Sequence, residues 1–269
     1  MSVTIDSVVH TMTGSMVSDP TDAFFFDHPL DHLPAMLLLD GIAGLASASP
    51  GRVAELAVEF HHFCELDRPV EVLMSSPATD GERWDAYCSS GGLVVADGNV
   101  SLRDHHDPPP PGPVLPAPVP VDRELVHRHR AENVAIGDFT GDDSGCTARI
   151  LDFAPDHALR RRDPRHRSAL ELVEGARQLI TLVGHQVWDV AHDWKYVLNG
   201  VRHEQRRPVA ATEDVRLRTT TMTMRRKRVE FAVDLLAAGD VIGSVRLTGM
   251  IVPPRVYDHL RWANREAAR

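Results

Sequence analysis

A proline-dense segment divides the chain near its middle. Residues 103–122 read RDHHDPPPPGPVLPAPVPVD, a composition that continues neither a helix nor a central strand. We expect this segment to form an extended, semi-rigid connector. The sequence therefore predicts two folded units, residues 1–103 and 121–269, joined by a linker over residues 104–120.

Each half repeats the same order of local signals. An apolar stretch typical of a buried helix comes first, at residues 34–47 and again at 168–186. About four short β-rich runs, separated by turn residues, follow each stretch and predict an antiparallel meander. Such a sheet hides one apolar helix best by wrapping around it. The predicted fold class is therefore α+β, a tandem hot-dog whose two units form a pseudo-dimer, with two unrelated α+β domains as the alternative.

Composition and charge exclude several classes of function. The chain of 269 residues is 43% hydrophobic, enough for ordinary cores, and its formal charge of −9 argues against a general nucleic-acid binder. Three cysteines without C-x-x-C spacing indicate a reducing compartment. No apolar run reaches the ~20 residues of a membrane span, and the N-terminus lacks a signal-peptide pattern. We expect a cytoplasmic protein that is not bound to a membrane.

One carboxylic acid lies at the same place in each predicted helix. Asp40 follows MLLL, and Glu174 follows LELV. An acid in an apolar helix is costly unless it is paired, hydrogen-bonded or protonated, and one such acid is often structural. Two at matching positions favour function, because burial raises a carboxyl pKa towards the range useful for proton transfer. Arg177 and Gln178 follow Glu174 by one turn and share its side of the helix or its flank.

Two histidines lie in the turn before the first helix. His28 and His32 flank Pro29, and Pro34 follows two residues later. A metal site built on H-x-x-x-H needs a helix, which both prolines oppose, and nucleotide-binding or serine-hydrolase motifs are missing, so we predict no metal and no cofactor. A neutral histidine near a helix N-terminus suits a base beside amides that bind an oxyanion. A purely capping role for this turn is the alternative.

An arginine-rich segment precedes the second helix. Residues 157–167 read HALRRRDPRHR, and clustered guanidiniums before a helix N-terminus favour an anion pocket, for phosphate in particular. A solvated loop is the alternative. A second basic run, MRRKR at residues 224–228, is typical of a hairpin tip. A charged turn is the favoured interpretation of this run, and docking of an acidic carrier protein is the alternative. The predicted phosphate ligands are Arg160, Arg161, Arg162, Arg165 and Arg167.

The block FDHPLDHLPAMLLLD resembles the signature of the A-factor biosynthesis hot-dog family, the γ-butyrolactone synthases of actinomycete signalling. In the second half, RELVHRHRAENVAIGDF is similar to the family's opening strand, HALRRRD to the region around a recurrent histidine, VEGARQLITLVGH to its E-x-x-R-Q helix, and VYDHLR to its closing segment. The first block usually lies in the C-terminal repeat, so the two units look exchanged in order. Asp40 replaces the usual Glu and IAG replaces Arg-Gln, which puts one of two equivalent sites in doubt.

The resemblance implies a reaction. A β-ketoacyl group passes from an acyl carrier protein to a hydroxyl of dihydroxyacetone phosphate, and ring closure gives a butenolide-type phosphate. Hot-dog dimers usually set the histidine loop of one unit against the helix acid of the other. The implied working site is then His28 and His32 with Glu174, Arg177 and Gln178, and the second site is His157 and His166 with Asp40.

The resemblance also leaves other functions open. A hot-dog dehydratase or thioesterase acts on acyl carrier protein or CoA thioesters and needs no phosphate site, so the placement of the arginine-rich segment separates it from the transferase. A non-catalytic acyl-binding protein would keep the scaffold without the chemistry. Further pairing into a homodimer of pseudo-dimers is also compatible with the family.

Overall fold

The computed structural model describes residues 10–76, 82–103 and 116–267. Of the predicted linker, only residues 116–120 lie within this part of the chain. The helices are Ala35–Ala46 (α1), Ala169–Gln186 (α2) and Pro254–Ala267 (α3). The strands are His10–Met16 (β1), Arg52–Phe60 (β2), Val70–Ser76 (β3), Arg83–Ser90 (β4), Leu93–Arg103 (β5), Ile136–Asp142 (β6), Gly145–Ile150 (β7), Lys195–Gln205 (β8), Val215–Arg225 (β9), Arg228–Ala237 (β10) and Asp240–Val252 (β11).

The two predicted core helices form where the apolar pattern placed them. α2 begins at Ser168, whose side chain accepts a hydrogen bond from the backbone of Glu171 while the Glu171 side chain accepts one in return, a capping box. α1 follows Pro34, whose ring cannot continue a helix towards its N-terminal side. Asp40 and Glu174 are each the sixth residue of their helix, so the matched placement predicted from the sequence is confirmed.

In the part of the chain that the structure describes, the eleven strands pair antiparallel in one sheet, in the order β1-β3-β4-β5-β2-β8-β11-β10-β9-β7-β6. The two halves meet where β2 pairs with β8, between Glu55↔Glu204 and Glu59↔Gly200. The predicted simple meander needs one correction. In each half the first strand after the helix pairs with the last of the four, β2 with β5 and β8 with β11, so both halves repeat one strand order.

Each half of the sheet packs around its own helix. α1 contacts β1 to β5, whereas α2 contacts β6, β7, β8, β10 and β11 and also β2 at the junction, and the two helices touch each other. Leu39 and Ile42 of α1, and Leu172 and Leu179 of α2, are fully buried in one continuous apolar core. Burying a side chain of this size contributes about 1.5–3 kcal/mol, which explains why these helices need little help from surface contacts.

The segment before β6 differs from its prediction. RELVHRHRAENVAIGDF was expected to open as a strand, but residues 123–126 and 131–133 are short 3₁₀ turns and only its last part belongs to β6. The Asp122 side chain accepts a hydrogen bond from the backbone N–H of Glu124, which gives this stretch a local alternative to sheet pairing. His127 then adopts a left-handed conformation (φ 54°) that turns the chain beneath α2.

The C-terminal helix α3 packs on loops of the first half. The Tyr257 hydroxyl donates to Asp31 (2.6 Å), and Arg261 donates to Glu65 (3.0 Å) and to the backbone of Asp31 (2.7 Å). The Asn264 side chain exchanges hydrogen bonds with the backbone of Phe63 (3.0 Å each). Within the described residues, no helix has the length and apolar character to cross a membrane.

Candidate active site

A cavity of about 1110 Å³ opens between the loop before α1, the first residues of β8 and helix α3. Residues from both halves line it, because the β2–β8 junction places the first half's loop beside the second half's helix α2. Its polar lining includes His28, Asp31, His32, His127, Arg128, Arg177, Lys195 and Tyr257.

The fully buried carboxylate of Glu174 is the centre of a charged network behind this cavity. Its Oε1 accepts hydrogen bonds from Arg128 Nη2 (2.6 Å), Arg177 Nη2 (2.8 Å) and Gln178 Nε2 (2.7 Å). Its Oε2 accepts one from Arg177 Nε (2.7 Å). Two guanidiniums therefore face one carboxylate, and the network carries one surplus positive charge.

The charges of this network reverse the expected behaviour of Glu174. Burial works to raise the pKa of the carboxyl, but the charges and hydrogen bonds of Arg128 and Arg177 outweigh it and lower the pKa to about 2. The prediction that burial would raise this pKa is wrong, because the sequence did not reveal Arg128 as a second cation. Glu174 is ionised at neutral pH and has no proton to give; it holds the two guanidiniums in place.

Arg128 ties the two halves together at the site, and the sequence did not identify it. Its Nη1 donates to the backbone oxygen of Phe24 (2.9 Å), and its guanidinium lies over the Phe24 ring, 4.5 Å from the centroid. Next to it, the backbone N–H groups of His129 and Arg130 donate to the buried carboxylate of Asp27 (2.8 and 3.1 Å). The basic run HRHR was the available signal for a site residue here.

His28 lies in the same cavity as Arg128 and Arg177. Its buried Nδ1 has no hydrogen-bond partner among the described residues, and its ring is 5.8 Å from that of His129. Burial, followed by the charges of Arg128 and Arg177, lowers the pKa of His28 to about 4. The imidazole is thus neutral at neutral pH, with a ring nitrogen free to accept a proton.

His32 belongs to a second group at the cavity wall. Its Nδ1 is 2.8 Å from Asp31 Oδ1 and 3.0 Å from the Tyr257 hydroxyl. The hydrogen bond from His32 lowers the pKa of Asp31; burial opposes it, and bonds from Tyr257 and Arg261 add to it. Since an ionised carboxylate only accepts, Nδ1 of His32 carries a proton in this pair. Tyr257 was missed because it comes from α3, far along the chain.

His127 and His185 form a further pair at the cavity. Their Nε2 atoms are 2.8 Å apart, and His185 Nδ1 is 2.8 Å from the carbonyl of Val190. The carbonyl accepts only, so His185 is protonated at Nδ1, His127 donates from Nε2, and His127 Nδ1 holds a lone pair. Burial, then the neighbouring His185 and Arg177, lowers the pKa of His127 to about 3.

The predicted second site is not assembled. Asp40 is buried and its carboxylate is bound by both terminal nitrogens of Arg162, with Nη2 at 2.8 Å. His157 instead stacks on Phe153 with centroids 3.9 Å apart, and its Nε2 is 3.2 Å from Asn133 Oδ1. His166 is close to Asp163, with Nδ1 3.2 Å from its Oδ1. Neither histidine reaches Asp40, because an arginine already neutralises that acid.

The arginine-rich segment also has a different role from the predicted one. Arg160 donates to Glu171 (Nη2–Oε2, 2.6 Å), Arg162 binds Asp40, and the buried Arg167 binds Asp152 and the backbone of Glu213. Arg161 and Arg165 are exposed. None of the five lines the cavity described above, because carboxylates of the protein itself bind the inward-facing members. Among the described residues, no three His, Cys, Asp or Glu side chains are grouped so that they could hold a metal ion.

The sequence profile of the A-factor biosynthesis hotdog domain matches residues 112–253, more than half of the chain. The protein belongs to this family. The matched residues include α2 with Glu174, Arg177 and Gln178, as well as Arg128 and His127. A search of the curated proteins finds no match.

Solved structures with the same fold align with nearly the whole length of this chain. The bifunctional dehydratase-cyclase domain of ambruticin biosynthesis is 13% identical, with a TM-score of 0.59, and 96% of each chain is covered. A CurK dehydratase with phenylalanine in place of a histidine, described as inactive, is 10% identical (TM-score 0.56; 94% of this chain, 97% of that one). A putative thioesterase II from Thermobifida fusca is 14% identical (TM-score 0.55; 89% and 92%). At these identities the likeness shows the fold alone, and it agrees with the hot-dog fold of the family.

Proposed function

We propose that this protein is an acyltransferase of γ-butyrolactone-type signal biosynthesis. It would move a β-ketoacyl group from an acyl carrier protein thioester to a hydroxyl of dihydroxyacetone phosphate. The observation that carries the proposal is the imidazole of His28, which is neutral at neutral pH and lines the same cavity as Arg128 and Arg177 of the Glu174 network. Membership of the A-factor biosynthesis family supports the reaction class.

The proposal treats the two halves as hot-dog units of a pseudo-dimer, residues 1–103 and 121–269. Its support is the strand order repeated on both sides of the β2–β8 junction, with one helix in each half. The site then lies between the loop of the first unit and α2 of the second. The cross-unit arrangement explains why His28 meets Arg128 and Arg177 although they come from opposite sides of the linker.

His28 is the base of the proposed transfer. It takes the proton of the acceptor hydroxyl as that oxygen attacks the thioester carbonyl, and the resulting imidazolium returns the proton to the leaving thiolate. General base catalysis of this kind contributes about 10²–10⁴-fold in rate. The first amides of α1, Ala35 and Met36, border the cavity, and the described residues show no acceptor for them. They would stabilise the tetrahedral oxyanion.

The phosphate of the acceptor is assigned to the second half's cations. Arg128 and Arg177 exceed Glu174 by one charge, and Lys195 adds another at the cavity wall. Arg177 keeps 23% of its side chain exposed, so it can turn one edge of its guanidinium to a ligand while the other binds Glu174. This assignment replaces the arginine-rich segment, whose inward members are already paired.

The ionised state of Glu174 favours a transferase over a dehydratase. Dehydration needs an acid that protonates the departing hydroxyl, and a carboxyl with a pKa of about 2 and four hydrogen bonds does not supply that proton. A thioesterase is the second candidate, because hydrolysis needs only a base such as His28 and a water molecule. An acyl-binding protein without chemistry is the third.

One incubation distinguishes these functions. The purified protein is mixed with a β-ketoacyl carrier protein and dihydroxyacetone phosphate, and the products are weighed by mass spectrometry. The proposal expects the β-ketoacyl ester of the acceptor or its cyclised product. Free β-keto acid alone indicates a thioesterase, and an intact thioester held in a tight complex indicates a binder; either result refutes the transfer. A β-hydroxyacyl carrier that loses water in a parallel incubation would indicate a dehydratase.

A further inference from the structure

A group of unpaired cations projects from the hairpin between β9 and β10. We call Arg225, Arg226, Lys227 and Arg228 the basic tip. Arg226 and Lys227 have positive φ angles (48° and 71°), as a two-residue hairpin turn of this kind requires, so the tip extends beyond the sheet. The three arginines are exposed. No member of the tip has an ion pair among the described residues.

The basic tip lies beside the cavity. Arg228 pairs with Met250 on β11, and Met250 pairs with Val197 on β8; both of these neighbours line the cavity. The backbone N–H of Ile251 also donates to the carbonyl of Lys227 (2.8 Å). Since neighbouring strands are about 4.8 Å apart, Arg228 is one strand from Met250 at the cavity wall and two strands, roughly 10 Å, from Val197.

Two other arginines of strands β9 and β11 are neutralised. Arg218 pairs with Asp234 (2.7 Å), and Arg246 pairs with Glu230. The basic tip instead places four cations at consecutive positions with no carboxylate partner among the described residues, on a chain of formal charge −9. The tip is a convex turn without enclosing walls, which suits the broad acidic surface of a protein more than a small phosphate that needs several converging donors.

We infer that the basic tip docks an acidic face of the protein that carries the acyl thioester, so that the thioester enters the adjacent cavity. This inference rests on the proposed function, because it assumes a carrier-linked donor. Charge complementarity of this kind acts mainly on association and weakens as salt rises.

The experiment compares two double variants with the same change in charge. R225E/R228E alters the basic tip, and R161E/R165E alters exposed arginines of the segment before α2; each takes the formal charge from −9 to −13. Binding of the acyl carrier protein is titrated directly at low salt. Transfer kinetics are measured with carrier-linked, CoA-linked and pantetheine-linked β-ketoacyl donors. Circular dichroism and thermal unfolding check that both variants fold.

We expect R225E/R228E to raise the Kd and KM for the carrier-linked donor at least tenfold while kcat/KM for the pantetheine-linked donor stays within twofold. R161E/R165E should stay within twofold for both donors. An unchanged carrier Kd in R225E/R228E, or an equal loss in both variants, overturns the docking. A selective loss with the CoA-linked donor would show that the tip binds nucleotide phosphates instead. Wild-type protein that transfers from no donor refutes the proposed function, while the direct titration still tests the docking.

Discussion

At the scale of single residues, the network around Glu174 decides which groups of the cavity are charged. One buried anion between Arg128 and Arg177 keeps both guanidiniums in place, and burial, together with the charges of these two arginines, lowers the pKa of His28 and keeps it neutral. Removing one partner of a buried ion pair leaves an uncompensated charge, which typically costs about 3–5 kcal/mol. The network therefore links the stability of α2 to the protonation state of the proposed base.

Replacing Glu174 with glutamine tests this link. E174Q leaves two adjacent guanidiniums without a carboxylate, so we expect the free energy of unfolding to fall by about 3 kcal/mol and transfer to dihydroxyacetone phosphate to fall at least tenfold. Glu171 provides the matched control, because it is equally buried on the same helix but binds Arg160 away from the cavity. E171Q should lose stability and keep its kcat. A folded E174Q with unchanged transfer would remove Glu174 from the site.

Replacing His28 with glutamine tests the base. H28Q should lower kcat by about 10²–10⁴-fold with a small change in stability, because the ring makes no hydrogen bond through Nδ1. The base works when neutral, so wild-type kcat/KM should be level above pH 6 and decline as the pH approaches 4. H157Q is the control, since His157 is stacked on Phe153 and does not line the cavity. Equal losses in the two variants would contradict the assignment.

The site residues that were predicted from the sequence and the one that was missed differ in the sequence distance to their partners. His28, Glu174, Arg177 and Gln178 follow local patterns: a turn before a helix, or one face of that helix. Arg128 binds an acid 46 positions away, so no local pattern named it as a partner. The missing cation also explains why the predicted direction of the Glu174 pKa was wrong.

At the scale of elements, the sequence pattern predicted the core helices and the strands that follow them, but it did not predict the short 3₁₀ turns. Both core helices and the eight strands that follow them came from apolar repeats of the right period, and the basic hairpin at residues 224–228 is confirmed. The 3₁₀ turns at residues 123–133 were missed, because local side-chain caps replaced sheet pairing there. Helix α3 was recognised as a closing segment, but its contacts with the first half's loops were not foreseen.

Helix α3 holds two of those loops through Arg261. This side chain is 4% exposed, binds Asp31 and Glu65, and lies over the Phe63 ring. R261A should lower the free energy of unfolding by about 2–4 kcal/mol and speed hydrogen exchange in residues 24–36, because Asp31 and Glu65 lose their shared cation and the buried guanidinium no longer packs on Phe63. R265A, at an exposed position on the same helix, should change stability by less than about 0.5 kcal/mol. Unchanged exchange in the loop would contradict this role of α3.

At the scale of the whole molecule, the junction between β2 and β8 makes the two halves one structure. It continues the sheet across both units and brings the first half's His28 to the second half's α2. The proposed site requires the halves to remain joined, since neither half contains both His28, the proposed base, and the two arginines Arg128 and Arg177. Any group whose ionisation weakens the junction would therefore affect folding and chemistry together.

His203 is such a group. It lies on β8 opposite Leu56 of β2 and Val245 of β11, is 3% exposed, and neither of its ring nitrogens has a hydrogen-bond partner among the described residues. Burial lowers its pKa to about 4. Below the ordinary histidine pKa of about 6.5, the unfolded chain binds a proton that the folded junction does not, so this group's contribution to stability is lost as the pH falls from 6.5 towards 4.

When the pH falls from 7 to 5, the protonation of His203 in the unfolded chain should lower the free energy of unfolding by about 2 kcal/mol. Above pH 7 the contribution of His203 should not change with pH. His28, His127 and His157 titrate in the same direction, so the prediction concerns the difference that one substitution makes. In urea unfolding, H203L should lose about 2 kcal/mol less than the wild type over this interval, because leucine has no proton to bind. Identical losses in the two proteins would show that the junction does not respond to acid through His203.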